Sequence, residues 1–140
     1  MAVQAYISDF QLKKDCQYLS GQLVLGNVRL YKNAWAPTNN QVIGSFSECT
    51  FAGYAPQPLA GLSLGTTQLA SGVMQLRMKP VFFNSTGGGP VQFINGWFIT
   101  DVFNNVLVAV PLAAPQIVSG IGVFRFDVVL QVRGLNIVCP

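Results

Sequence analysis

The chain has 140 residues, of which 51% are hydrophobic and only 9% are charged, with a formal net charge of +3. This length corresponds to one domain that can bury a hydrophobic core. The charged fraction is far below the roughly 25% of an average soluble domain, and the few Lys and Arg residues are too scattered for a nucleic-acid-binding face. Because protein interfaces are depleted in Lys, Glu and Asp, we expect neighbouring proteins to cover much of the surface. A monomer solubilised by Asn, Gln, Ser and Thr is the alternative.

The first predicted element is a short helix over residues 8–19. Ser8 and Gln11 have the spacing of a capping box, in which each side chain satisfies a free backbone N–H of the first turn. Apolar residues then recur on one helical face, at Leu12, Cys16 and Leu19. Gly21 is expected to end the helix.

After Gly21 the hydrophobic pattern changes to a period of two, which predicts strands. These strands cover residues 23–30, 42–51, 62–69, 73–83, 91–100, 105–110 and 122–133. Clusters of Gly, Pro and Asn predict loops at 36–40, 84–90 and 111–115. In the last strand an apolar set alternates with a mostly polar one, which is typical of a half-buried strand. It is long, so we expect it to bend or to reach a neighbour.

Seven to nine strands with Gly and Pro turns at this spacing predict an all-β fold. We expect a single-domain antiparallel β-sandwich or jelly-roll-like barrel over residues 1–140. An N-terminal arm and the short helix take up residues 1–20, and the β core takes up residues 21–140.

Catalytic residue types are scarce in this chain. There is no histidine, which removes the commonest general base and every Ser-His or Cys-His nucleophile pair. The five acidic residues are isolated from one another: Asp9, Asp15, Glu48, Asp101 and Asp127. We therefore expect no enzyme, no metal site and no cofactor. A histidine-free hydrolase using Glu48 and one aspartate remains a third hypothesis.

The cysteines Cys16, Cys49 and Cys139 are odd in number and match no metal or redox spacing. Free thiols in a reducing cytoplasm are the favoured interpretation, and one disulfide plus a spare thiol is the alternative. No apolar run reaches the ~20 residues of a membrane-spanning helix, and no secretory signal is visible. We expect no contact with a membrane.

Four aromatic residues are the candidates for contact with a partner or ligand. Trp35 lies in a predicted loop, Trp97 lies in a predicted strand, and Tyr31 and Tyr54 flank predicted turns. Aromatic side chains of this kind anchor protein interfaces and also supply surfaces for carbohydrate. A receptor- or carbohydrate-binding β-sandwich module is therefore the alternative function.

Two stretches resemble a known group of proteins. The first comprises Leu30-Tyr31-Lys32-Asn33, Pro37-Thr38, Ile43-Gly44-Ser45-Phe46 and Cys49-Thr50-Phe51-Ala52-Gly53-Tyr54, and the second runs from Asn95 to Asp101. They are similar to motifs of small β-rich proteins encoded among the virion genes of tailed bacteriophages. These motifs consist of turns, strand ends and aromatic core positions, so no catalytic residue is carried over.

The resemblance implies a virion structural protein, such as a capsid decoration (cement) protein or a small head or tail accessory protein. It would assemble in the host cytoplasm and pack against other virion proteins, such as the major capsid protein or head and tail subunits. We also expect it to contact further copies of itself.

Overall fold

A computed structural model describes residues 3–5, 8–38, 40–61, 63–133 and 137–139, with side chains for 8–38, 40–61 and 65–132. These ranges contain one α-helix, α1 (Asp9–Leu23), and a short 3₁₀ helix, Ile43–Ser45. They also contain eleven strands: β1 (Val3–Ala5), β2 (Asn27–Tyr31), β3 (Gln57–Pro58), β4 (Ser63–Ala70), β5 (Val73–Met78), β6 (Val81–Thr86), β7 (Gln92–Thr100), β8 (Val106–Val118), β9 (Ile121–Phe126), β10 (Val129–Arg133) and β11 (Ile137–Cys139). The predicted all-β class with one N-terminal helix is confirmed.

All of the described strand pairs are antiparallel. The central sheet has the order β3-β2-β7-β8, a second sheet has the order β10-β5-β4, and β6 pairs with β9 in a two-stranded ribbon. The strands β1 and β11 form a further pair. None of these sheets closes on itself, so the described strands form a sandwich-like arrangement and not the barrel that was the other expectation.

Both faces of the central sheet are covered. The main hydrophobic cluster combines residues of the central sheet with Leu76 of β5 and Phe83 of β6. On the opposite face, Phe98 of β7 packs against the rings of Tyr31 and Phe46. Because β7 is covered on both sides, it is buried continuously from Gly96 to Thr100 instead of alternating.

The predicted helix is confirmed, but it is longer than predicted. The hydroxyl of Ser8 accepts a hydrogen bond from the backbone N–H of Gln11 at 3.2 Å. The Gln11 side chain binds Asp15 at 2.8 Å instead of completing the capping box. Gly21 does not end the helix, since the next turn brings Leu23 into the main cluster with no exposed surface. Burial of this leucine outweighs the helix-breaking tendency of one glycine. The strand predicted over 23–30 accordingly begins only at Asn27.

Two local predictions are wrong. The strand predicted over 42–51 is a 3₁₀ helix followed by extended chain with a single β-bridge, from Glu48 to Tyr31. Phe46, Cys49 and Phe51 of this segment face inward, whereas Val42 and Ile43 are exposed, and the segment forms no β-ladder longer than this bridge. The loop predicted over 111–115 lies within β8, where residues 112–115 face Asn95 alone in an irregularity that accommodates the prolines.

Two long predicted strands are each divided between two sheets. The segment 73–83 breaks at Pro80 into β5 and β6, since proline cannot donate to a ladder. The segment 122–133 bends after Phe126 into β9 and β10, and the N–H of Met78 donates to the carbonyl of Val128 at 3.0 Å across this bend. The predicted alternation along it is confirmed, because Phe126 and Val128 are buried while Asp127 is exposed.

The predicted hairpin at 91–110 is confirmed as β7 and β8, joined around Asp101 to Asn105. The predicted turn at 84–90 starts later than expected, because β6 continues to Thr86. Within the described ranges, α1 lacks the length and apolar character of a membrane-crossing helix, and the structure describes no other α-helix.

Candidate interaction surfaces

A partly buried polar cluster surrounds Glu48, the acidic residue named in the hydrolase hypothesis. One guanidinium nitrogen of Arg29 on β2 lies 3.2 Å from each carboxylate oxygen of Glu48. The Nε of Arg29 donates to Thr100 Oγ1 on β7 at 3.0 Å. The ion pair therefore connects the central sheet to the extended segment that carries Glu48.

Tyr54 completes this cluster. Its hydroxyl donates to Glu48 Oε1 at 2.6 Å and accepts the backbone N–H of Leu30 at 3.1 Å. Burial, together with the hydrogen bond to Glu48, raises the pKa of Tyr54. Each group of the cluster has a bonded neighbour within the protein, and the arrangement holds chain segments together. Among the described residues, no three His, Cys, Asp or Glu side chains converge as metal ligands would.

The aromatic contact candidates are placed unequally. Tyr31 has no exposed surface and Trp97 is only 4% exposed, because both lie on covered faces of the central sheet. The prediction that their rings are available to a partner is therefore wrong for these two residues. Trp35 and Tyr54 are half-buried, and Trp35 packs edge-on against Phe46 with the ring centroids 4.9 Å apart. The structure brings Trp35 and Tyr31 into one cluster and places Tyr54 and Trp97 in the other.

The four predicted aromatic contact residues did not indicate the larger exposed hydrophobic surface of the protein. This surface consists mainly of aliphatic side chains and phenyl rings. Many large hydrophobic side chains of the described residues are at least 37% exposed: Phe10, Tyr18, Leu25, Val42, Ile43, Leu69, Phe82, Val91, Phe93, Val102, Phe103, Ile117, Ile121, Val123 and Val129. The sequence did contain a signal for some of them, since Val123 and Val129 occupy outward positions of the predicted last strand.

Several of these side chains share the outer face of the β6–β9 ribbon. The inward pairs of the ribbon, such as Phe83 with Phe124, contact the main cluster. On the outer face, Phe82, Val123 and Ile121 are 49%, 65% and 88% exposed. We call these three residues the ribbon face. The outer face also carries Asn84, Thr86 and Arg125, each directly opposite one of these three residues, so half of its side chains are apolar, whereas a strand next to water usually carries polar residues outward.

A cleft of about 200 Å³ adjoins this ribbon at the bend between β9 and β10. It is lined by Arg77, Met78, Pro80, Arg125, Asp127 and Val129, and we call it the arginine cleft. Arg125 donates to Asp127 Oδ1 from Nε at 3.1 Å and from a terminal nitrogen at 3.0 Å. In the described part of the chain the side chain of Arg77 makes neither an ion pair nor a hydrogen bond. The cleft therefore holds one uncompensated positive charge.

A second cleft, of about 380 Å³, lies between the 3₁₀ helix and the β7–β8 turn. Amide and aliphatic side chains line it: Gln41, Val42, Ile43, Asn104, Asn105 and Val106. None of the four predicted aromatic contact residues belongs to this lining, which carries no charged group.

The described cysteine side chains are inert by their surroundings. Cys16 and Cys49 are buried and free, and burial raises the pKa of the Cys49 thiol to about 12. Burial also raises the pKa of Cys16. The side chain of Cys139 lies outside the described residues, so the prediction about its pairing stays a prediction.

Comparison of the chain with protein-family models, with curated proteins and with solved structures found no match.

Proposed function

We propose that this chain is a structural component of a virus particle and acts by packing against other protein subunits. The particle type comes from the resemblance to virion proteins of tailed bacteriophages, which implies a capsid decoration (cement) role. The mode of action comes from the surface of the protein. The observation that carries it is a long uncharged stretch that builds an open sheet edge.

No charged residue occurs from Val102 to Phe124. This stretch contains the hairpin turn with Phe103, which is 81% exposed, and all of β8. The strand β8 pairs with β7 on one side, and the other side is an edge of the central sheet. Soluble proteins commonly protect such an edge with charged side chains, and lysine above all. In the described part of the chain this edge carries prolines and irregular pairing in place of charged side chains.

Coverage by neighbouring subunits accounts for an edge and a surface of this kind. Burial of apolar surface contributes about 25 cal/mol per Å², and a stable interface of ordinary size removes roughly 1,600 Å² from water. A protein that is repeated on a particle can therefore stabilise it without any catalytic group. The expected partners are the major capsid protein or head and tail subunits, together with further copies of the chain.

The test uses particles assembled without this chain. Purified protein is added, the particles are sedimented, and the bound copies are counted by quantitative mass spectrometry. We expect saturable binding in a fixed ratio to the major shell subunit and a higher temperature of particle disruption. Particles that already contain the chain are the control and should take up no more. A monodisperse monomer that leaves the deficient particles unoccupied and no more stable would contradict the proposal.

A further inference from the structure

We infer that the ribbon face and the arginine cleft together form the docking surface for a partner protein segment that presents apolar side chains followed by a carboxylate. This inference rests on the proposed function and names the surface and the partner chemistry through which it operates.

The apolar part of this surface runs along the ribbon beside the polar side chains of Asn84 and Thr86. Val123 and Ile121 are two residues apart on β9 and therefore point to the same side. Phe82 lies directly opposite Arg125 and diagonally next to Val123 across the strand pair. Three large side chains thus share one side of a two-stranded element whose other side is already occupied by the core.

The bend between β9 and β10 joins this apolar surface to the cleft. Arg125 belongs both to the outer face of the ribbon and to the lining of the cleft. On the far side of the bend, Val129 pairs with Arg77 in the β10–β5 ladder, and both side chains are exposed. A segment lying along the ribbon face would therefore reach the guanidinium of Arg77 at its end.

The charge of the cleft identifies the chemistry of the occupant. Asp127 pairs with Arg125, and although it lines the same cleft, no acidic side chain of the described residues lies within ion-pair distance of Arg77. A guanidinium binds a carboxylate through two parallel hydrogen bonds, and it does so more favourably when apolar neighbours exclude water. A second copy docked face to face would bring the same excess positive charge to this place. A partner with a carboxylate fits the surface better than another copy of the chain.

The experiment measures the dissociation constant of purified variants for particles assembled without the chain. Val123→Asp places a charge in the ribbon face, and Arg77→Glu reverses the charge of the cleft. The matched controls are Val42→Asp, at a valine that is 62% exposed elsewhere, and Lys13→Glu, on the exposed side of α1. Circular dichroism and thermal unfolding check the fold of each variant. Ile121→Asp, at the most exposed apolar residue, replaces Val123→Asp if that variant does not fold.

We expect each surface variant to raise the dissociation constant by about tenfold or more, which is about 1.4 kcal/mol, while both controls stay near the wild-type value. Binding of the wild type should also weaken as salt is added. If the wild type binds and the surface variants bind equally well, the inference is overturned while the proposed function stands. If the wild type itself does not bind, both fail. If the free chain dimerises and the same variants abolish the dimer in sedimentation equilibrium, the occupant is a second copy, and the partner chemistry inferred here is wrong.

Discussion

The hydroxyl of Tyr54 fills two roles inside the protein. It donates to the carboxylate of Glu48 and accepts the N–H of Leu30, whose own side chain is fully buried. Arg29 approaches the same carboxylate from the other side, with side chains of the pair 19% and 31% exposed. A charge at this depth is tolerated only where hydrogen bonds replace water. Tyr54 therefore helps to keep the ion pair in place, in addition to packing its ring against Phe83.

We expect Tyr54→Phe to lower the free energy of unfolding by about 1–3 kcal/mol, because the variant leaves a buried N–H and one carboxylate oxygen without this partner. Urea unfolding followed by fluorescence measures the change. The control is Tyr18→Phe, at a tyrosine of α1 that is 72% exposed, where the same loss of a hydroxyl should have almost no effect. Equal stability of the two variants would show that water replaces the Tyr54 hydroxyl without cost.

This cluster shows what the sequence could reveal about the interior. Glu48 and Tyr54 belong to the same motif, so their proximity was accessible from the sequence. The pairing with Arg29 was not, because the bridge between Glu48 and Tyr31 interrupts an otherwise unpaired segment. A single bridge leaves no periodic pattern in the sequence. For that reason the sequence does not predict an ion-pair partner for Glu48.

At the scale of elements, two glycines differ in the space beside their Cα atoms. Gly21 lies within α1, and a Cβ added there would meet no atom within 4 Å. Gly96 on β7 faces Tyr31 across the sheet, and a Cβ added there would overlap the phenol ring and hydroxyl. Gly21 therefore lowers the helix propensity of α1 without a packing role. Gly96, in contrast, leaves the space that the buried ring of Tyr31 occupies.

We expect Gly21→Ala to raise the free energy of unfolding by about 0.5–1 kcal/mol, because alanine loses less backbone entropy in a helix. Gly96→Ala should lower it by about 1–3 kcal/mol, since the added methyl group overpacks a filled site. Thermal unfolding of the two variants beside the wild type measures both changes in stability, which should be opposite in sign. A stabilised Gly96→Ala protein would mean that the Tyr31 ring moves aside easily and that the aromatic cluster is loosely packed.

The sequence predicted well the elements whose local pattern agrees with their tertiary contacts, such as the hairpin of β7 and β8 and the alternating last segment. The alternation through Phe126 and Val128 survives a change of sheet, because each outward residue still meets solvent. The prediction fails where tertiary contacts override the local pattern. Gly21 does not stop the helix because Leu23 is buried in the core, and Pro111 does not start a loop because β7 provides a partner for it.

The candidate surface was harder to predict than the fold. Aromatic residues were expected to mark it, but Tyr31 and Trp97 are buried because the central sheet is covered on both faces. The ribbon face contains Val123, which falls in the mostly polar set of the predicted last strand, but also Ile121 and Phe82, whose outward direction the sequence pattern does not reveal. The register of β6 with β9 shows that Ile121 and Phe82 point to the same side as Val123. The low fraction of charged residues in the whole chain was the better indication of an exposed hydrophobic surface.

At the scale of the whole molecule, α1 has two attachments of different strength. Its last turn enters the main cluster through Leu23, whereas its first half rests on a small cluster that contains Cys16 and Met74. The carboxylate of Asp9 fastens the beginning of the helix to the β4–β5 turn, accepting the N–H of Gly72 at 2.6 Å and the hydroxyl of Ser71 at 3.0 Å. The Gly72 N–H, and then Ser71, lower the pKa of Asp9.

These attachments predict that the thiols of Cys16 and Cys49 become accessible through different unfolding events. Cys49 belongs to the main cluster and should react only when the whole molecule unfolds, whereas Cys16 should react when the first half of the helix detaches. A Cys139→Ser variant leaves these two thiols to be followed. With an aromatic disulfide reagent at mildly alkaline pH, we expect Cys16 to react about tenfold faster than Cys49 or more, in line with a lower free energy of local opening.

Asp9→Ala in the same background removes the fastening of the helix and should accelerate Cys16 severalfold while changing Cys49 much less. The matched control is Gln17→Ala, at an exposed uncharged residue of the same helix, and it should leave both rates close to those of the parent. Peptide mapping by mass spectrometry assigns the modified cysteine at each time. Equal rates for the two thiols, unaffected by Asp9→Ala, would mean that the helix and the β core open as one cooperative unit despite the separate cluster beneath α1.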